Sequence, residues 1–123
     1  MTWPCFFPAP PAPQSPTGPR DGRITVHVES DRETATIFVR GELDLVTMPV
    51  LAEQLARVSR AQPGRLVFDL AGTHFMDCGS ARLIARAGRW LPAGQRPVIR
   101  HPRADIRRLL ELTGLDSYCE IEE

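Results

Sequence analysis

Lysine is absent from all 123 residues, so every one of the fifteen basic side chains is arginine. Fifteen Asp and Glu balance them, and the formal net charge is zero. A chain without net charge has no long-range field to gather a polyanion, which argues against direct nucleic acid binding or an anionic membrane surface as its main business. Long apolar runs are missing as well. Nothing approaches the roughly 20 residues that a bilayer crossing needs, and the first residues have neither the basic n-region nor the sustained apolar core of a secretory signal. These absences predict a cytoplasmic protein with no membrane insertion. Cysteine is sparse: Cys5, Cys78 and Cys119 are odd in number, far apart and without a CxxC pair. That pattern builds no disulfide framework, disfavours a zinc ribbon and suits a reducing compartment. No metal and no cofactor is expected. With 42% apolar residues, what remains is one small domain with a single core.

Proline is abundant, but it is concentrated. Seven of the twelve prolines lie in the first nineteen residues, where PAPPAPQSPTGP carries no periodicity that could pack. Each proline fixes φ and removes a backbone donor, so residues 1–20 read as a disordered proline-rich leader. Its Trp3, Phe6 and Phe7 could still tuck onto the domain at 21–123. From Asp21 onward fourteen Arg face all fifteen acids, a formal charge of −1.

Within the domain, Ile24, Val26 and Val28 alternate with Thr25, His27 and Glu29, and beyond a polar Ser30–Glu33 turn Ala35, Ile37 and Val39 alternate with Thr34, Thr36 and Phe38. Period two on both sides of a turn predicts a β-hairpin, with Gly41 ending the second strand. Thr47 can cap a helix carrying Met48, Leu51, Leu55 and Val58 at helical spacing, with Pro49 tolerated in its first turn and Pro63-Gly64 as its stop. Arg65–Leu70 is a nearly continuous apolar run, the pattern of a strand buried on both faces and lying mid-sheet. A helix over about 80–91 has Leu83, Ile84, Ala87, Trp90 and Leu91 on one face and Arg82, Arg86 and Arg89 on another. A brief strand at 97–100, a third helix around Ile106, Leu109 and Leu110 closed by Gly114, and a short strand that 118–121 could add complete the chain. The order β-β-α-β-α-β-α describes an α/β fold: a mixed sheet with helices on at least one face.

The chemistry concentrates where strands hand over to helices. Asp77-Cys78-Gly79-Ser80 opens the arginine-striped helix, and free amides and the dipole at a helix N-terminus favour negative charge. A hydroxyl there is a sensible phosphorylation site, and Ser80 is the one available; the alternative is that Asp77 or Ser80 only caps the helix. Gly41–Thr47 is a second strand-to-helix loop. If its strand neighbours the central one, Asp44 and Asp77 share one end of the sheet, although two acids without a third ligand define no metal site. His27, His74, His101 and Cys78 supply the residue types of a Cys-His nucleophile, but nothing in their spacing pairs them, and an enzyme is not expected. Arg82, Arg86 and Arg89, at i, i+4 and i+7, could meet an acidic partner or simply face water. Arg100, Arg103, Arg107 and Arg108 form a second basic cluster with a solvated face as its default.

Gly41-Glu42-Leu43-Asp44 with Thr47 and Pro49, then Val67-Phe68-Asp69-Leu70, Phe75-Met76-Asp77-Cys78 and Arg108–Leu115 occur in an order and spacing that resemble the STAS domain of bacterial anti-sigma factor antagonists, from about residue 23 to 121. The resemblance implies a STAS-type sheet-and-helix domain in bacterial transcription regulation by partner switching. Its member binds an anti-sigma factor, commonly a GHKL-type serine kinase, and so frees a sigma factor. Asp44, Thr47, Asp77, Cys78, Gly79, Ser80, Arg82 and Arg86 become the partner-contact set. Phosphorylatable members read Asp, small residue, Ser or Thr, Gly; here Cys78 takes the small place, Gly79 the acceptor place and Ser80 that of the glycine. Ser80 is then an offset acceptor, or the protein binds without that control. The same domain type could instead serve another signalling complex, a transporter or a small-ligand sensor, and self-association is open.

Overall fold

The computed structural model describes residues 23–123, and the proline-rich leader with Trp3, Phe6 and Phe7 lies outside the described residues. Five strands form one sheet in the order β1-β2-β3-β4-β5. β1 (Ile24–Ser30) and β2 (Thr34–Leu43) are the antiparallel hairpin. Asp31 accepts from the Glu33 and Thr34 amides and so sets the turn between them. β3 (Arg65–Met76), β4 (Val98–Arg100) and β5 (Glu120–Glu122) then add parallel to β2 and to one another.

Parallel neighbours need a crossover, and each is made by a helix. α1 (Met48–Arg60) joins β2 to β3, α2 (Cys78–Arg86) joins β3 to β4, and α3 (Ala104–Thr113) joins β4 to β5. Gly114, in the left-handed region at φ 77°, ends α3. Leu51, Leu55 and Val58 of α1, Ala81, Ile84 and Ala85 of α2, and Ile106 and Leu110 of α3 share one core with Ile24, Ile37, Val39, Leu66, Phe68, Leu70 and Ile99. The strand members alternate, so the helices cover one face of the sheet. Val67 and Val98, side by side in register, are buried on the opposite face. Among the described residues no helix packs them there; on that face Glu122 pairs with Arg65 and Arg100 at 3.3 Å each. β3 is thus central and buried on both faces, but only one face meets helices.

Several boundaries differ from the sequence expectation for identifiable reasons. β2 does not end at Gly41 but runs to Leu43, because the register slips between Phe38 and Arg40 and again between Gly41 and Glu42. β3 continues to Met76 because Thr73, Phe75 and Met76 find partners in that extended β2. α2 begins at Cys78 rather than near Ser80 and tightens into a 3₁₀ turn over Ala87–Trp90. The last strand is displaced to 120–122 by a 3₁₀ turn at Leu115–Tyr118. Among the described residues no helix is long and apolar enough to cross a membrane.

Candidate functional site

Because β2 and β3 are parallel neighbours, their carboxyl ends deliver the Asp44–Thr47 loop and the Asp77–Ser80 turn to the same end of the sheet. The Asp77 amide donates to the Leu43 carbonyl at 3.0 Å and ties the two together. Asp44 and Asp77 are therefore brought to one end, although each carboxylate already has local work.

Asp44 organises its loop. Its Oδ1 accepts from the Val46 and Thr47 amides at 3.0 Å each, and its Oδ2 accepts from Arg23 at 2.7 Å. Thr47 stands at the N-cap of α1 but makes no side-chain cap. Its buried hydroxyl turns back instead, donating to the Glu42 carbonyl at 2.6 Å and accepting from the Asp44 amide at 3.0 Å. That corrects the capping role expected for it: the hydroxyl staples the loop to the end of β2. The Thr47 amide foremost, with Arg23, the Thr47 hydroxyl and the Val46 amide, holds the Asp44 carboxyl below its ordinary value against an opposing contribution from desolvation.

A carboxyl whose folded value lies below its unfolded value adds stability that is present above the unfolded pKa and fades as pH falls through the folded one. Asp44→Asn should therefore be less stable than the wild type at neutral pH, with the gap closing below about pH 4. Urea unfolding of both proteins at neutral and acid pH measures this; a gap of constant size would contradict it.

Asp77 is the cap of α2. In extended conformation, its Oδ1 accepts from the Ser80 amide at 2.8 Å. One of the N-terminal donors that could attract an external anion is thus already satisfied by a side chain. Cys78 and Gly79 are exposed beside it, whereas Ser80 is 0% exposed and its hydroxyl has no hydrogen-bond partner among the described residues. A side chain added at Gly79 would meet only the Asp77 Oδ1, 3.8 Å from its Cβ. The outward position is the glycine, and the serine points into the protein.

The sequence pattern did not single out the apolar residues around these loops. Leu45 is 77% exposed, Val46 62% and Phe75 49%, on the two segments that carry Asp44 and Asp77. Leu45 continues the odd-numbered alternation of β2 past Leu43 and Val46 breaks it, so two adjacent apolar residues inside a strand-to-helix loop are the signal that could have marked them. Large apolar side chains gathered at a polar loop end are the composition of an interaction site.

Arg82 and Arg86, expected beside these loops, stand one and two turns down α2. They line a separate open cleft of about 470 Å³ with Arg89, Arg96, Leu115 and Tyr118.

No Cys-His pair forms among the described residues. His74 Nδ1 accepts from Arg103 at 2.7 Å, and His27 contacts Glu29 at 3.2 Å. His101 sits in the left-handed region at φ 56°, with its amide on the Glu122 carbonyl. Burial pushes the Cys119 thiol up to about 11, away from nucleophilic use. Among the described residues no group of three His, Cys, Asp or Glu side chains could hold a metal ion.

Comparison with known proteins gives this geometry a family. The family described as Mlab, STAS domain, matches residues 26–122, and the chain belongs to the STAS domain family. Within it, the chain is similar to the anti-sigma-F factor antagonist RsfB of Mycobacterium tuberculosis, 28% identical over 93 residues that are 76% of each chain. It is also similar to the crystal structure of an anti-sigma factor antagonist from Mycobacterium paratuberculosis, at TM-score 0.69 and 32% identity over 80% of this chain and 85% of that one. The anti-sigma factor antagonist SpoIIAA in its unphosphorylated form shares the fold, at TM-score 0.66 and 23% identity over 80% and 89%.

Proposed function

We propose that this chain is an anti-sigma factor antagonist. It binds an anti-sigma factor, a serine kinase of the GHKL type, through the loops at the carboxyl ends of β2 and β3, and so releases a sigma factor. Asp44 and Thr47 hold one loop in shape, Asp77 caps the other, and Leu45, Val46, Phe75, Cys78 and Gly79 meet the partner. The observation that carries this reading is the exposed apolar group Leu45, Val46 and Phe75 at the end where Asp44 and Asp77 come together. The similarity to antagonists from two mycobacteria supports the choice of partner.

The complex is not switched by phosphorylation at this turn. Gly79 occupies the outward position without a hydroxyl, and the Ser80 hydroxyl is enclosed. A phosphate needs an acceptor that a kinase can reach, and its dianion acts by repelling acids such as Asp77 and by resisting desolvation in a tight interface.

The test combines the purified protein, its GHKL-type anti-sigma kinase and ATP. The wild type should stay bound and acquire no phosphate on residues 77–80 by mass spectrometry. Gly79→Ser has room for its side chain and should be phosphorylated and released, while Ser80→Ala should behave as the wild type. Phosphate on Ser80 of the wild type would overturn the unswitched reading. Absence of binding by every form would overturn the antagonist reading.

A further inference from the structure

The cleft on α2 has a composition that the loop surface does not share. Arg82, Arg86 and Arg89 project from successive turns of α2 and its 3₁₀ extension, and Arg96 comes from the segment leading to β4. Arg96 donates to the Ser117 carbonyl at 3.0 Å, which joins that segment to the turn bearing Leu115 and Tyr118. No carboxylate lines the cleft, and among the described residues none lies within ion-pair distance of these four arginines. In a domain whose charges nearly cancel, four guanidinium groups without an ion-pair partner among the described residues, set around one apolar wall, are a local excess of one sign.

Topology separates this cleft from the loop surface. α2 leaves the carboxyl end of β3 and runs back along the sheet, so Arg86 and Arg89 lie toward the opposite end. α3 makes the same return, which carries Leu115 and the exposed Tyr118 there as well.

We propose that this cleft is a second docking surface, which takes an acidic segment of a protein partner with apolar side chains among its carboxylates. Charge complementarity selects the acidic chemistry, and the guanidinium fork suits bidentate carboxylate recognition. The distribution of charge selects a peptide over a small anion. From Arg82 to Arg89 the stripe extends about 10 Å along the helix, a row of sites rather than one focus. Leu115 and Tyr118 form a wall for apolar side chains, and Arg and Tyr are the residue types that anchor protein interfaces. A duplex nucleic acid is disfavoured because the acids elsewhere cancel the far field that its binding draws on. This inference stands apart from the loop surface and does not depend on the identity of the partner bound there.

The experiment uses fluorescence anisotropy at low salt with a labelled synthetic peptide that has Glu at i, i+4 and i+7 and Leu between them. The wild type should bind it, and added salt should weaken the binding. Arg86→Glu and Arg89→Glu should each weaken it at least about tenfold, Tyr118→Ser should weaken it less, and Arg57→Glu on α1 should leave it unchanged. A second arm needs no variant to fold: the same peptide with Gln in place of Glu should fail to bind the wild type. Equal binding of the Gln peptide, indifference to the Arg86 and Arg89 reversals, or displacement by inorganic phosphate or duplex DNA at lower concentration than by unlabelled peptide would overturn the proposal. A Leu45→Asp variant should still bind the peptide, so failure here is distinguishable from failure at the loop surface.

Discussion

Leu45→Asp is expected to weaken binding of the anti-sigma factor by about 30-fold or more, corresponding to about 2 kcal/mol or more. Leu45 is the most exposed of the three apolar side chains at the loop end, so in the free protein it gains almost nothing from packing. In a complex it would lose water over a large apolar area, whereas a carboxylate there would be desolvated without a partner. Thermal stability should change little, because surface substitutions away from packed features stay within about 0.5 kcal/mol. Leu112→Asp provides the control. Leu112 is also exposed, but α3 carries it to the other end of the domain, and its replacement should leave binding intact. Calorimetric titration of both variants decides the matter: equal losses, or none, would remove the loop end from the interface.

Gly41→Ala is expected to destabilise the fold by about 3 kcal/mol and to lower Tm by roughly 15 °C. Gly41 has φ 109°, a conformation that residues with a Cβ rarely adopt. A Cβ built there would lie 2.0 Å from the Arg23 carbonyl oxygen, so the backbone itself must move. The same carbonyl accepts from the Glu42 amide at 2.9 Å, and the Arg23 side chain holds Asp44 at 2.7 Å. Displacing Arg23 therefore also disturbs the loop that presents Leu45. Partner binding should fall together with stability, unlike Leu45→Asp, where the two separate. Urea denaturation showing a loss below about 1 kcal/mol would mean that the close approach is relieved at little cost.

Residue types and periodicity located the hairpin, the three helices and the central strand, because alternation at Ile24–Val28 and helical spacing at Leu51–Val58 are local properties of the chain. They also marked Asp44, Thr47, Asp77 and Gly79 as residues at strand-to-helix junctions. Their roles were less legible. Thr47 reads as a helix cap, yet its hydroxyl serves the end of β2. Ser80 reads as an available hydroxyl, yet α2 starts two residues earlier than its pattern suggests, and Ser80 faces inward. About 100° of rotation per residue makes such a shift decisive for a side chain and invisible to a pattern that tolerates either start.

The sequence by itself determined the alternation of strands and helices, the single core and the balance of charge. Tertiary structure alone decided which loops share an end of the sheet. Parallel pairing of β2 with β3 places Leu45 and Phe75 in one region, and the returning helices place Arg86, Arg96 and Tyr118 around one cleft. Those residues are distant in sequence, and no local periodicity relates them. Their meeting depends on strand order and helix direction, which are set by burying all the apolar faces at once.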